Sequence, residues 1–259
     1  MQIIFSNDIR FYELFGIITS LFLFIRWMYR QSRRCSLKFI STGAICLHFD
    51  HVMSSIFFSG VAESNFKDST ITLIRANIKQ VSGDISHKLY WNTFVLPVLS
   101  YKSGIQTTQY ELSRPFKVVH GDLYPIYVFL HLEDNIKKSG FVILENINFE
   151  ISNIISKYTD RTIETYNKII CEIKNSKKIT EYCLEYKKFN IWAESEYQVD
   201  FIIEYNGNIL SLKYCFSISA EEVKKLENNI NNVIYTYVNQ FFGYAPVAPY
   251  IVYKSYCKN

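Results

Sequence analysis

An apolar segment near the N-terminus constrains this chain more than any other feature. Between residues 14 and 25 only Thr19 and Ser20 interrupt a run of apolar residues and glycine, and a basic stretch follows the segment. The aromatic residues Trp27 and Tyr29 suit the interfacial region of a membrane. The sequence therefore predicts a membrane helix, although the apolar run is shorter than the roughly 20 residues that usually cross a bilayer. A buried core helix is the alternative. The predicted anchor residues are Phe11, Leu14, Phe15, Ile17, Ile18, Leu21, Phe22, Leu23, Phe24, Ile25, Trp27 and Tyr29.

The composition narrows the class of protein. The chain has 259 residues, enough for one large domain or two small ones. Its 20 Phe and 20 Tyr favour strands, because aromatic rings pack well on a half-buried pleated surface. With 28 basic and 24 acidic residues, the net charge of +4 gives no electrostatic signature of nucleic-acid binding. The six cysteines never form a C-x-x-C motif, so no zinc site is predicted.

A second apolar stretch, residues 39–62, carries His48, Asp50 and His51 at its centre. A charged aspartate costs about 2.5–3.5 kcal/mol in a membrane helix, so we expect a pair of strands or a packed helix rather than a second span. The three polar residues are of metal-ligating types, but one short cluster lacks the remaining ligands. The sequence therefore predicts neither a metal ion nor a cofactor. From residue 70 to 147 the pattern favours strands separated by turns.

The pattern changes to helical spacing at about residue 149. Apolar residues recur every three or four positions from 149 to 175, which predicts one amphipathic helix. The pair Asn206-Gly207 predicts a tight hairpin, because both turn positions need a positive φ. The strands predicted in this part of the chain are residues 181–192, 198–205 and 208–216.

A second C-terminal helix has both ends marked in the sequence. Ser219, followed by Glu222 three residues later, is a capping-box pattern at its start. Gly243 is expected to end it, and a last strand is predicted at residues 250–253.

These patterns together predict an α+β fold. It has an antiparallel sheet with two long helices in the C-terminal half, a strand-rich middle region and an N-terminal membrane helix. The predicted divisions are a membrane anchor with its basic flank at residues 1–38, a strand-rich region at 39–147 and a helix–meander–helix–strand unit at 148–259.

Asp200 and Lys213 are the residues on which a catalytic function can be argued. In PD-(D/E)xK nucleases, an aspartate on one hairpin strand and an acid-x-lysine on the next bind a divalent cation and activate water. Asp200 fits the first position, but Ser211 stands where the second acid belongs. A divalent cation needs that carboxylate, so no catalytic residues are predicted, and a degenerate nuclease is the alternative.

The run DFIIEYNGNILSLKYCF, residues 200–216, carries a family resemblance. It is similar to the Y-N-x-x-x-L-S-L strand pair in the uncharacterised extracytoplasmic domain of lysozyme-sensing anti-sigma factors and some peptidoglycan deacetylases. The sequence LENIN at residues 144–148, which leads into the preceding helix, supports the likeness, which covers about residues 123–242. The resemblance implies an N-terminal span and a binding domain outside the membrane. After Phe216 the chain lacks the glycine-glycine-alanine-histidine run with which the family usually continues.

The predicted function is that of a membrane-tethered, non-enzymatic binding protein, either a sensor or an immunity/inhibitor protein. The expected partners are the membrane and another protein, and no nucleic acid is expected; the sequence does not identify a small-molecule ligand. A single-pass protein with an extracytoplasmic large domain is predicted from the resemblance. The positive-inside rule favours the cytosolic face instead. The basic residues behind that alternative are Arg26, Arg30, Arg33, Arg34 and Lys38.

Overall fold

The computed structural model describes residues 11–51, 53–83, 85–96, 109–255 and 257–258. The helices are α1 (Phe11–Ser32), α2 (Asp134–Ile155), α3 (Ile163–Asn175), α4 (Lys177–Lys187), α5 (Ala220–Glu227) and α6 (Asn229–Phe242). The strands are β1 (Ser36–Asp50), β2 (Met53–Asn65), β3 (Ser69–Gln80), β4 (Ser86–Leu96), β5 (Gln109–Leu112), β6 (Phe116–Val118), β7 (Leu123–Leu132), β8 (Ser195–Tyr205), β9 (Asn208–Ile218), β10 (Val252–Ser255) and β11 (Cys257–Lys258). The predicted α+β fold with a large antiparallel sheet is confirmed.

The sheet closes on itself through the C-terminal segment. The strand order is β10–β1–β2–β7–β4–β3–β8–β9–β11, with β5 paired to β4 and β6 paired to β3. β10 pairs with β1, while β11 pairs with β9 at the other end of this order. Because a single residue separates β10 from β11 in the chain, the two ends of the sheet meet. Contacts across the interior support this closure. The ring centroid of Phe58 on β2 lies 4.4 Å from that of Phe201 on β8 and 5.7 Å from that of Tyr214 on β9.

Alternating side chains explain why these segments form strands. Along β2 and β8, buried residues alternate with partly exposed ones over most of the strand. The interior is rich in aromatic rings, including the fully buried Phe49, Phe58, Tyr197, Phe201 and Tyr214. Burial of each such side chain stabilises the fold by about 1.5–3 kcal/mol.

The helices pack at the end of the sheet where β1 turns into β2. Tyr186 of α4 stacks on Phe49 with 5.4 Å between ring centroids, and its hydroxyl donates to the backbone carbonyl of Asp50. α2 lies close to β2 because Gly140 has no Cβ; a Cβ atom there would come within 2.2 Å of the Met53 sulfur. α2 and α4 therefore cover this end of the apolar interior.

The strand predicted at residues 181–192 is wrong, because most of this segment is helix α4. The Ser176 side chain accepts a hydrogen bond from the backbone N–H of Ile179 and caps the helix. Ile179 and Tyr186 are seven positions apart, so they lie on the same helix face, and both are buried. Tertiary packing of this face selects the helix.

The single helix predicted at residues 149–175 is also wrong, since α2 and α3 occupy this part of the chain. α3 has its own N-cap at Thr162, whose side chain accepts from the Thr165 N–H. α2 begins at Asp134, within the region that the sequence predicted to be strand-rich. The second apolar stretch forms β1 and β2, one of its two predicted alternatives.

The predicted hairpin and helix ends are confirmed. β8 and β9 pair on either side of Asn206 and Gly207, whose φ values are 44° and 75°. Ser219 and Glu222 form the predicted capping box, and Gly243 ends α6 in the left-handed region, at φ 71°. The helix between these signals is divided into α5 and α6.

Helix α1 exposes its side chains from residue 15 to residue 29. Just beyond its end, the Arg33 guanidinium lies 5.6 Å from the ring centroid of Phe66, in the turn between β2 and β3. Among the residues described, no helix combines the length and the apolar character needed to cross a membrane. The side chains of Phe11 and Leu14 lie outside the described part of the structure.

Candidate functional site

Asp200 and Lys213 lie directly opposite each other on β8 and β9. The same row continues across the sheet, because Asp200 is paired with Asn77 of β3, and Asn77 with Lys88 of β4. Directly opposed residues of antiparallel strands point to the same face. That face is the outer one, since the neighbouring Val199 is buried in the interior. We call Lys88, Asn77, Asp200 and Lys213 the charged row.

The charged row lines a groove with a volume of about 590 Å³. Within the described part of the chain, Lys88, Asp200 and Lys213 form no ion pair within 4 Å. The Asn77 Oδ1 atom is buried and accepts no hydrogen bond from any described residue. Buried polar atoms are usually paired in proteins, so the Asn77 oxygen is an exception beneath the groove. The groove itself presents three lysines, Lys79, Lys88 and Lys213, and one carboxylate, Asp200, to a ligand.

The groove does not supply the carboxylate set of a metal-dependent nuclease. Asp200 is the single acid among the described residues that line it. The next acid on β8 that faces outward, Glu204, forms an ion pair of 3.2 Å with Arg75. No three His, Cys, Asp or Glu side chains in the described residues are grouped closely enough to hold a metal ion. Since divalent cations take several oxygen ligands, this arrangement suits recognition of charges rather than metal-assisted hydrolysis.

A second polar cluster lies where the chain passes from α1 into the sheet. The Cys35 sulfur is 2.8 Å from Ser69 Oγ, and the buried Ser64 hydroxyl is 2.5 Å from the same oxygen. The Nδ1 atom of His120 is hydrogen-bonded at 3.1 Å to the Ser64 carbonyl rather than to a hydroxyl or the thiol. A catalytic nucleophile needs a base within hydrogen-bonding distance, and the Nδ1 atom of His120 does not act as one for Cys35, Ser64 or Ser69 in the described structure.

A salt bridge beside this cluster fixes the turn between β2 and β3. Asp68 accepts hydrogen bonds from the Lys117 ammonium, at 2.5 Å, and from the His120 backbone N–H, at 2.9 Å. These two donors lower the pKa of the Asp68 carboxyl. The turn is therefore tied to the segment that leads from β6 into β7.

The three polar residues of the second apolar stretch do not converge on one site. His51 is exposed in the turn, with its Nδ1 atom 3.8 Å from the Asp50 carboxylate. His48 is buried and lies in one row with Ser55 and His131, on β1, β2 and β7. Burial lowers the pKa of both buried histidines, to about 4 for His131. The His131 ring is therefore neutral near pH 7.

A polar stripe on α6 was not predicted from the sequence. Asn229 is fully buried, and Thr236 accepts a hydrogen bond from the Val247 N–H at 3.0 Å. These side chains hold residues 245–250 against the helix and form one wall of a cavity of about 420 Å³. The sequence signal is the spacing of polar residues in an otherwise apolar helix, which places them on one face. The stripe consists of Asn229, Asn232, Thr236 and Asn239.

Comparison with protein families, with curated proteins and with solved structures finds no match to this chain. The family resemblance of residues 123–242 therefore stays a prediction.

Proposed function

We propose that this protein is a membrane-tethered, non-enzymatic binding protein of the sensor or immunity/inhibitor type, which engages another protein. The observation that carries the proposal is the exposure of α1. Large apolar side chains along this helix, including Phe15, Phe22 and Trp27, are 65, 64 and 57% exposed. Such a continuous apolar surface is typical of a segment that binds a membrane or a partner.

The core of the domain is built without α1. No residue from 15 to 29 belongs to the cluster of buried residues that fills the sheet and packs the other helices. Each large apolar side chain gains about 1.5–3 kcal/mol when it leaves water. A bilayer provides that gain on every side of a helix, whereas a groove on a protein covers one face. The exposure of α1 on all sides therefore favours a membrane tether.

The groove of the charged row supports the binding part of the proposal. Its lysines and its single carboxylate line the groove, and the second carboxylate of a nuclease is missing among the described lining residues. The resemblance of residues 123–242 to an extracytoplasmic domain favours the same class of protein.

Two arginines in the middle of α1 test the tether. The double variant Leu21→Arg, Phe22→Arg should be released from membranes by the wash, since each charge costs about 2.5–3.5 kcal/mol in an apolar surrounding. The matched control is Leu184→Arg on α4, because Leu184 is 58% exposed and Leu21 is 57% exposed. The measurement is the fraction of protein that sediments with membranes after a carbonate wash. Wild-type protein in the supernatant would contradict the tether.

The proposal places the large domain on the extracytoplasmic side of a single-pass protein, as the resemblance implies. The basic residues after α1, such as Arg33 and Arg34, favour the cytosolic side by the positive-inside rule. Alkaline phosphatase fused after Asn259 is active only outside, and green fluorescent protein is fluorescent mainly inside. A fluorescent, phosphatase-negative pair of fusions would contradict the outward orientation.

A degenerate nuclease is the second candidate function, favoured by the direct opposition of Asp200 and Lys213. Purified protein incubated with DNA or RNA and Mg²⁺ or Mn²⁺ should leave the nucleic acid intact. Cleavage that is abolished by Asp200→Ala would establish the nuclease and refute the non-enzymatic proposal.

A further inference from the structure

We infer that the groove of the charged row binds an extended segment of the partner protein in which two acidic side chains enclose one lysine. The inference rests on the proposed function in one respect, that the partner is a protein. It does not depend on the membrane tether. The evidence is the spacing of the row, the Asp200 carboxylate at its centre and the absence of ion pairs among its described residues.

The two lysines at the ends of the row match alternate side chains of an extended peptide. Neighbouring strands lie about 4.8 Å apart, so Lys88 and Lys213, which are separated by three such steps, stand about 14 Å apart. In an extended chain, every second side chain is on the same side and repeats at about 6.8 Å. The first and fifth side chains are therefore also about 14 Å apart, and carboxylates at these positions can reach both lysines.

The centre of the row selects a donor for the third position of such a segment. This position falls about 7 Å from each end, between Asp200 and Asn77. A lysine there can donate to the Asp200 carboxylate, the single acid among the described residues that line the groove. A hydrogen bond to a charged group is stronger than a neutral one, so the centre contributes specificity for a cation between two acids.

The same centre disfavours nucleic acid. A phosphodiester backbone carries a negative charge on every nucleotide and offers no donor. Its charges would meet the Asp200 carboxylate. A peptide avoids this cost, since the residue between its two acids is free to be basic.

The test uses fluorescein-labelled peptides and the full-length protein in a zwitterionic detergent, at low ionic strength. The probe is fluorescein-Gly-Gly-Glu-Ser-Lys-Ser-Glu-amide, and its charge-reversed counterpart is fluorescein-Gly-Gly-Lys-Ser-Glu-Ser-Lys-amide. A labelled oligothymidylate represents nucleic acid. Fluorescence anisotropy measures the Kd. We expect the probe to bind at least about tenfold more tightly than the reversed peptide, because reversal replaces attraction with repulsion at each position.

Substitutions locate the site. Lys88→Glu and Lys213→Glu should each weaken binding of the probe about tenfold, whereas Lys224→Glu on the exposed face of α5 should not change the Kd. Asp200→Asn should weaken binding of the probe but not of a peptide with Gln in place of its Lys. Circular dichroism and thermal unfolding show that each variant is folded.

Three outcomes would overturn the inference: equal binding of the probe and the reversed peptide, tighter binding of the oligothymidylate, or an equal effect of Lys224→Glu. If the protein sediments with washed membranes but binds no peptide, the groove assignment is refuted and the membrane tether is not. If the protein binds the probe but is released from the membranes by the wash, only the tether is refuted.

Discussion

The side-chain amide of Asn229 donates a hydrogen bond of 3.0 Å to the carbonyl oxygen of Phe49, a residue 180 positions away. The same amide donates to the Tyr250 carbonyl at 2.8 Å, and its oxygen accepts from the Tyr250 N–H at 2.7 Å. Asn229 thus joins the end of β1, the start of α6 and the segment that leads into β10. Because β10 pairs with β1, this buried amide supports the closure of the sheet.

Replacement of Asn229 should destabilise the protein strongly. Asn229→Asp keeps the shape but removes the donor, so two carbonyl oxygens would face a carboxylate in a buried site. We expect a loss of about 2–4 kcal/mol in the free energy of unfolding, measured by urea denaturation. Asn231→Ala, on the exposed side of the same helix, is the matched control and should change the stability by less than about 0.5 kcal/mol. A loss of equal size in both variants would contradict the role of the buried amide.

Gly140→Ala should destabilise the contact between α2 and β2. Alanine usually favours a helix by about 1 kcal/mol over glycine. At this position, however, its Cβ would lie 2.2 Å from the sulfur of the buried Met53. We expect a net loss of about 1–2 kcal/mol by thermal or urea unfolding. The neighbouring exposed Ser139→Ala should be neutral or slightly stabilising.

A double variant checks the cause of that loss. In a Met53→Ala background the space beside residue 140 is open, so Gly140→Ala should no longer carry a penalty. An unchanged penalty would show that the clash with Met53 is not the reason.

His131 should make the protein less stable in mild acid. Its pKa is lowered to about 4 by burial first and then by the charges of Lys137, His48 and His51. The unfolded state, with a pKa near 6.5, therefore binds more protons between pH 6.5 and 4. The contribution of the neutral His131 ring to the free energy of unfolding is fully present above pH 6.5. It is lost as the pH falls from 6.5 to 4, by up to about 3 kcal/mol.

The measurement is the free energy of unfolding as a function of pH. His131→Gln should make the free energy of unfolding depend less steeply on pH between pH 6.5 and 4. Part of the slope should remain, because burial also lowers the pKa of His48. Identical pH profiles for wild type and His131→Gln would refute the assignment.

Ser219→Ala should cost about 1 kcal/mol of stability. The Ser219 hydroxyl accepts from the Glu222 N–H, and the Glu222 carboxylate accepts from the Ser219 N–H at 2.9 Å. The substitution removes one half of this capping box at the start of α5. Ser217→Ala, on an exposed position of β9, is the control for the urea titration. A smaller effect at Ser219 than at Ser217 would contradict the importance of the cap.

Half of the candidate site was predictable from the sequence. Asn206-Gly207 defines the hairpin, and the hairpin sets β8 and β9 side by side, so Asp200 and Lys213 were identified on facing strands. Asn77 and Lys88 were not identified, because a period of two predicts a strand but not its neighbours. Pairing of β3 with β8 and β4 follows from the burial of interior side chains that are far apart in the chain.

Elements whose stability is local were determined by the sequence itself. The hairpin turn needs residues that tolerate positive φ, the capping box needs Ser219 with Glu222, and the end of α6 needs Gly243. Each of these signals acts within a few residues, so each can be interpreted without the rest of the fold.

The tertiary structure decided what depends on distant contacts. α4 is helical because Ile179 and Tyr186 bury one face, and Tyr186 both stacks on Phe49 and donates to the Asp50 carbonyl. The sheet closes because the C-terminal segment pairs with β1 and β9 at its two ends. Burial and hydrogen bonding between residues far apart in the chain override local propensity here, and the linear pattern does not record which residues will meet.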